Sequence, residues 1–474
     1  MNIDKSALEL IIRECILESL ELIKEQKQKD KERGWSWKFE NHEKFPIMSF
    51  QENGLPSFHL SSFHKIDYSK FLMKDENFKQ FESWKKFYDF ILNNEDLRKY
   101  FQLMEFSPLN KDAKEDSFIF YNNLYSHYFL TDYIDSYIHR NQNSLEFKES
   151  VFKKQFESYF ESISKKKLNL VIAVPILFII FDFDEYEIDD RISIKRIEEP
   201  IQLARNIRKS YTSSSHDSVI GAATHAFYIS NWTINNETQM AKEFSLADIN
   251  SFSEPRTIIE NLFGALRLVS NLETGFCQIL SIPKGWSFRD KADIPEIFVA
   301  SERNYPEKFE NYGWSENKPT LYKDHLNNLS HIFSKLNNQY FTLPIKRLNA
   351  ALVRKNDEDS IIDITIALES LLTNDSTSEI SYRLSVRVTQ LCKLSKFKDF
   401  ESSEIFELCK KIYNYRSAVV HGDIKRIEKT SSLSSTKSKE IKIIQLSAEL
   451  LRHIIKVMIE NNIENIKSID KLLC

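Results

Sequence analysis

SEIFELCKKIYNYRSAVVHG, residues 403–422, carries Ile405, Leu408, Ile412, Tyr415 and Val419 at three- and four-residue spacing and then stops at a glycine. With 3.6 residues per turn that spacing puts all five on one face, so an amphipathic helix is expected over about Ser403–His421. Gly422 is the residue type that closes a helix in the left-handed conformation. An arginine and a histidine, Arg416 and His421, stand near the end of this helix with four residues between them.

The flanking sequence repeats the helical pattern. One helix is expected over about Ile345–Arg354, with Pro344 as the boundary of the last helical unit. IIDITIALESLL follows, opened at Ser360 by a Ser-x-x-Asp capping box whose acidic member is Asp363. After the polar stretch TNDS, a second box, Ser376-x-x-Glu379, opens EISYRLSVRVTQLC. The Lys/Ser-rich run Asp423–Glu440 reads as a loop, and a long last helix over about Ser438–Asn461 presents Ile441, Ile444, Ala448, Leu451, Ile455 and Met458.

Strand signals occupy the middle third. Leu168–Phe181 reads as a buried strand, and Tyr186 and Ile188 followed by Ile192 and Ile194 read as a hairpin turning at Asp189-Asp190. His225–Thr233 and Phe276–Ile282 are further strands, separated by a helix over Thr257–Val269. Upstream, residues 4–28 form an amphipathic helix, and the stretch to about Phe160 is dense in aromatics such as Phe78, Phe81, Trp84, Phe87, Tyr88, Phe90, Phe118, Phe120, Tyr121, Tyr125, Tyr128 and Phe129. Aromatics at helical spacing belong to a core more often than to a base-stacking surface. The expected fold class is α+β: an aromatic-rich, mainly helical region 1–160, a mixed region 161–295, and an all-helical bundle 296–474.

Composition narrows the chemistry. The chain has 474 residues, 42% hydrophobic, 13% aromatic and 28% charged, which describes a globular protein of more than one unit. Its net charge of −4 conceals an asymmetry: residues 345–474 hold 22 Lys+Arg against 18 Asp+Glu, leaving 43 against 51 elsewhere. A mildly basic C-terminal part permits contact with nucleic acid without requiring it. The cysteines, Cys15, Cys277, Cys392, Cys409 and Cys474, form no CxxC pair, which argues against a disulfide framework or thiol-rich zinc site and for a reducing, cytoplasmic setting.

The most apolar run, Leu168–Phe181, holds 14 residues and is broken by Asn169 and Pro175. That is short of the roughly 20 needed to span a bilayer. The N-terminal residues lack the basic and apolar blocks of a signal peptide. With eight glycines, none suitably spaced, no GxxxxGK[ST], GxGxxG or GxSxG can be written, and HExxH is absent. No cofactor and no metal are expected. The acidic group Asp182, Asp184, Glu185 and Glu187 reads as a solvated turn; its alternative is a metal-dependent nuclease centre.

Three segments in order, IALESLL at 366–372, SEISYRLSVR at 378–387 and IYNYRSAVVHG at 412–422, resemble the HEPN ribonucleases, and the Apea-like HEPN subgroup in particular. The resemblance covers residues 295–474 well, 165–290 loosely, and the first 150 residues not at all. It implies a C-terminal HEPN helical bundle with Arg416 and His421 as the catalytic pair, acting as a metal-independent endoribonuclease on RNA, tRNA among the possible targets. It further implies a homodimer and a toxin-like role in bacterial antiviral defence by abortive infection, with a phage-derived trigger or an antitoxin as partner.

The chemistry suits the residues. An imidazole titrating near neutrality can take the 2′-hydroxyl proton or protonate the departing 5′-oxygen. A guanidinium can stabilise the extra charge on the pentacoordinate phosphate. On a regular helix, however, residues five apart diverge by about 140° and their Cβ atoms lie roughly 10 Å apart. Either the helix ends early and His421 swings round, or the site is assembled across a two-fold axis.

Glu369 matches an acidic position of the resemblance and is a candidate to hold Arg416, with Tyr415 and Ser417 as further supporting residues. Where the family often has Asn, Asp or His after the motif arginine, this chain has Ser417. Arg383, Arg387, Lys411, Lys425 and Arg426 are the candidate RNA-binding residues, with Lys410 and Lys429 also flanking the pair. Against each stands a plainer reading: a helix-end histidine, an Arg383–Glu379 ion pair, a solvated basic loop. The alternative function is a non-catalytic HEPN module that binds a nucleotide or a protein.

Overall fold

Asp4 accepts a hydrogen bond from the Ala7 amide at 3.0 Å and opens helix α1 (Lys5–Arg33), which Gly34 closes in the left-handed region at φ 74°. The computed structural model describes residues 3–34, 39–62, 64–74, 81–101, 115–207, 217–236, 253–312, 314–316, 320–373, 379–435 and 438–472. Strands β1 (Phe45–Phe50) and β2 (Pro56–Ser61) form an antiparallel hairpin, an addition to the helices expected in this region. Helices α2 (Tyr68–Lys74), α3 (Glu82–Leu92), α4 (Glu95–Phe101), α5 (Glu115–Arg140) and α6 (Glu149–Ser164) complete the N-terminal layer.

The core reading of the aromatics holds for Trp84, Phe87 and Phe129, which are buried with Leu8, Ile12 and Phe156 in one apolar cluster. Tyr128 is 43% exposed, and Phe78 and the side chains of Phe118, Phe120, Tyr121 and Tyr125 lie outside the described residues.

Alternation along β3 (Lys167–Ile176) builds the centre. Ile172, Val174 and Ile176 face one apolar cluster while Ala173 faces another, as the two-residue strand period requires. Next come β4 (Ile180–Phe181), β5 (Glu185–Glu187) and β6 (Ile192–Arg196), then helices α7 (Glu199–Ile207) and α8 (Asp217–Gly221), and β7 (His225–Asn235). Helix α9 (Ser253–Ser270), β8 (Phe276–Pro283), β9 (Phe298–Asn304) and β10 (Thr320–Leu321) follow. Six strands form one sheet in the order β5-β6-β7-β3-β8-β9, every pair antiparallel. The expected hairpin is present, with Tyr186 opposite Ile194.

β9 corrects the expected boundary at 296, because the sheet ends only after Asn304. Its sequence, FVASERN, has too little apolar alternation to announce an edge strand.

The C-terminal region contains α10 (Leu329–Leu336), α11 (Gln339–Val353), α12 (Asp357–Leu372), α13 (Ile380–Leu394), α14 (Ser402–Val420) and α15 (Ile424–Thr430). A short antiparallel hairpin, β11 (Ser432–Ser435) and β12 (Ser438–Lys442), precedes α16 (Ile443–Glu460) and α17 (Ile466–Asp470). The region is therefore mainly helical, not all-helical, and the expected Lys/Ser loop is a short helix plus a hairpin. Nor does it have a core of its own. Val174 and Ile176 of β3 and Phe227 of β7 share one cluster with Phe263 of α9, Leu368 of α12, Leu408 of α14 and Leu450 of α16.

Three local expectations are corrected. Pro344 lies inside α11, six residues into the helix, rather than at a boundary. Ser360 does not cap: α12 already begins at Asp357, and the buried Ser360 hydroxyl donates to the Ala351 and Asn356 carbonyls. Asp363, read as the partner in that cap, is instead a buried carboxylate that accepts from Arg347 at 2.7 Å and Arg354 at 3.0 Å. Of the second box, Ser376 lies outside the described residues, and Glu379 makes no side-chain cap. Among the described residues no helix is long and apolar enough to cross a membrane.

His225, at the start of β7, sets a pH dependence. Its ring is fully buried, 2.6 Å from the Phe183 carbonyl through Nε2 and 2.9 Å from the Thr224 hydroxyl through Nδ1. Burial pushes the imidazole down to about 4 from its ordinary 6.5. The fold thus favours the neutral ring, and the unfolded chain takes up the proton first as pH falls. The contribution expected from His225 is therefore constant above pH about 6.5 and is lost from there down to about 4, on the order of 3 kcal/mol at 1.36 kcal/mol per unit. Urea midpoints between pH 7 and 4.5 check this: the decline is expected to flatten in His225→Gln, and an equal slope in both proteins refutes the assignment.

Candidate functional site

Helix α14 ends as its sequence requires. His421 is the C-cap, with φ −90° and ψ −2°, and Gly422 follows at φ 65°. The Gly422 amide donates to Val419 and the Asp423 amide to Ala418, which together make a Schellman stop. Asp423 then caps α15 through a bond from the Arg426 amide. One tight turn therefore presents His421 at an exposed tip and leads directly into a helix carrying Lys425, Arg426 and Lys429, all exposed.

The backbone stays helical through His421, so the divergence expected from the spacing remains: Arg416 and His421 stand about 140° apart around one axis. Early helix termination does not bring them together. Instead Lys410, Asn414, Ser417 and His421 fall within roughly 60° of one another. Arg426 reaches back to this face, its guanidinium 3.1 Å from the Asn414 Oδ1. A cation from the next helix thus stands on the histidine's side of α14.

Arg416 occupies the other side. Its guanidinium lies 5.7 Å from the centre of the Tyr413 ring, and its Nε is buried without a hydrogen-bond partner. Tyr413 donates its hydroxyl to Glu369 of α12 at 2.9 Å. Glu369 therefore bears on Arg416 indirectly, by fixing the ring beneath it. Burial, and then the bond to Glu369, raise the Tyr413 phenol above its ordinary value, against the opposing effect of Arg416. That keeps Tyr413 a donor to the carboxylate.

The other candidates divide. Ser417 is half-buried, and its carbonyl accepts the His421 amide. Tyr415 is not at the site; it is buried in the apolar core, on the stripe that the helix period put there. Arg387 is also withdrawn from any substrate: its Nε and Nη2 meet the two Asp470 oxygens at 2.8 and 2.9 Å, and its Nη1 donates to the Leu372 carbonyl. Arg383 is half-buried one turn earlier on α13, and Lys411 is exposed on α14. Lys410 pairs with Glu407 at 3.1 Å and lies over the Phe406 ring.

Sequence reasoning missed Asn414 and Tyr413. Asn414 stands seven residues before His421, two helical turns, and that spacing was the available signal.

The acidic group behaves as a surface turn. Asp184 pairs with Arg196 at 2.7 Å, Glu185 with Lys195 at 2.6 Å, and Asp182 accepts from the Lys323 amide. Among the described residues it does not bring three ligating side chains together.

Arg387→Met is expected to cost about 2–3 kcal/mol, the scale of hydrogen bonds to a charged group, while RNA affinity of the folded protein is unchanged. Urea unfolding and a filter-binding isotherm separate the two effects. Weakened RNA binding at unaltered stability would return Arg387 to the substrate surface. Compared with models of known families, with curated proteins and with solved structures, the chain matches none of them.

Proposed function

We propose that this protein is a metal-independent endoribonuclease whose working groups are Arg416 and His421. The observation that carries the reading is the exposed tip of α14, where an imidazole projects beside a row of unburied cations, Lys425, Arg426 and Lys429. In the proposed reaction His421 takes the proton from a ribose 2′-hydroxyl and the oxygen attacks phosphorus. The P–O5′ bond breaks, a proton passes to the leaving 5′-oxygen, and a 2′,3′-cyclic phosphate remains. Arg416 stabilises the charge of the transition state, and Arg426 holds a neighbouring phosphate.

Because Arg416 and His421 diverge around one helix, the productive pair is an arginine of one copy and a histidine of the other. Val420 and Ile424, 51% and 70% exposed, stand on either side of His421. Large apolar side chains left open beside a charged site suit burial at a two-fold contact. The role proposed for such an enzyme is a toxin-like effector of bacterial antiviral defence, acting in the cytoplasm on tRNA or other RNA, with the N-terminal two-thirds answering a trigger.

The decisive experiment incubates purified protein with tRNA and total RNA in the presence of EDTA and sequences the ends produced. Cleavage with cyclic-phosphate ends is expected; identical behaviour of wild type and His421→Ala would refute the enzyme reading in favour of a non-catalytic binding module.

A further inference from the structure

Far along the chain from α14, two imidazoles and two carboxylates converge in the N-terminal layer. His42 lies just ahead of β1, Asp67 at the entry to α2, and Asp135 and His139 one turn apart on α5. All four are buried. One donor atom each from His42, Asp135 and His139 lies within 4.8 Å of the other two. His42 Nε2 is 3.0 Å from Asp135 Oδ2, His42 Nδ1 is 3.3 Å from Asp67 Oδ2, and His139 Nε2 is 3.5 Å from Asp135 Oδ1. The two nitrogens of His42 point to opposite sides of its ring, so Asp135 stands on the Nε2 side and Asp67 on the Nδ1 side.

We propose that His42, Asp135 and His139 bind one divalent transition-metal ion, with Asp67 orienting the His42 ring through its Nδ1, and that zinc is the ion this nitrogen and oxygen set fits best.

Three observations support the site. The first is charge: a carboxylate oxygen stands at each nitrogen of His42, so two buried anions gather at one ring, and a dication held by neutral imidazoles balances both.

The second is His139. Its Nε2 lies 2.8 Å from the Ile66 carbonyl, while Nδ1 is buried with no hydrogen-bond partner. A ring that donates one N–H to a backbone carbonyl and keeps its other lone pair unused is the arrangement by which metal-binding histidines are oriented. The third is access. His42, Asp67 and Asp135 line a cleft of about 500 Å³ that also receives Arg289 and Glu296 from the segment between β8 and β9. An ion has an entry path, and its open side can hold water or a small ligand.

This inference does not rest on the ribonuclease reading, because none of the four residues belongs to the α14 surface. The test strips the full chain with chelator and titrates it with zinc chloride by calorimetry, using cobalt(II) as a spectroscopic probe. One equivalent per chain, a rise in melting temperature on zinc addition and a tetrahedral cobalt d–d band are expected. Asp135→Asn and His139→Gln are each expected to weaken binding by at least about 100-fold.

Absence of stoichiometric binding and of any zinc or chelator effect on wild-type melting would overturn the proposal and leave a proton-held cluster. Binding that survives both substitutions would overturn it too, by placing the metal elsewhere. The wild-type measurements decide the matter even if a variant fails to fold. RNA cleavage in EDTA reads on the other site alone.

Discussion

His421→Ala is expected to lower RNA cleavage by roughly 10²–10⁴-fold, the range for removal of a general acid–base group. Arg416→Ala is expected to lower it by about 10²–10³-fold, as loss of a donor to transition-state charge does. Stability should hardly move in His421→Ala. The side chain is exposed at a helix end, and the Schellman turn is made by backbone groups of residues 418, 419, 422 and 423. Surface changes of this kind stay within about 0.5 kcal/mol. A lost activity with an unaltered urea midpoint therefore assigns the effect to chemistry.

The same two variants test how the site is assembled. Mixed after denaturation and refolding, Arg416→Ala and His421→Ala chains yield heterodimers in which one of two shared sites keeps both groups. Random pairing makes about half the dimers hybrid, so activity is expected to return to about a quarter of wild type. Failure of the mixture to recover any activity, with dimers demonstrated by sedimentation, would place the pair within one chain and exclude the two-fold arrangement.

Gly275→Ala is expected to be the most damaging small substitution in the sheet. A Cβ at this position would stand 1.9 Å from the Asn304 carbonyl oxygen and 2.8 Å from the Tyr305 Cα. Both are backbone atoms, and neither can rotate away. The Gly275 carbonyl also accepts the Leu177 amide, so the residue is held between the end of β3 and the end of β9. Relief requires separating β8 from β9 at Phe276–Asn304, where their pairing begins.

A loss of about 4 kcal/mol or more is expected, beyond the usual range for a point change. It would appear as absence of soluble chain or as a much lower urea midpoint. Gly285→Ala is the internal comparison: its space is open, and only its left-handed φ of 80° opposes a side chain. Near-equal stabilities of the two variants would contradict the steric account.

Legibility in the sequence followed distance along the chain. The stripe Ile405, Leu408, Ile412 and Tyr415 and the stop at Gly422 were readable because helix period and capping are local. The structure puts that helix at Ser402–Val420, within a residue of expectation. The strands expected at 168–181, 225–233 and 276–282 and the hairpin at 186–194 were readable for the same reason, although the first ends at Ile176 and only Ile180–Phe181 resumes as a strand, in a separate sheet. Arg387 and Asp363 were misread because a local pattern competed with a remote partner. Arg387 shares a helix face with Arg383 but is claimed by Asp470, and Asp363 sits three residues after a serine but is claimed by Arg347 and Arg354. Nothing near either residue in sequence announces those partners.

The two sites divide in the same way. That Arg416 and His421 diverge around a helix follows from their five-residue separation alone, as does the exposed end at glycine. Which cation joins the histidine does not: Arg426 reaches Asn414 only because α15 folds back across the tip of α14. The order of six strands, the fusion of sheet and helices into one apolar core, and the meeting of His42 with Asp135 across 93 residues are likewise products of tertiary packing. Backbone periodicity is set by bonds between near neighbours, so a short window of residues determines it. Convergence of remote side chains depends on burying apolar surface over the whole chain, and no window contains that information.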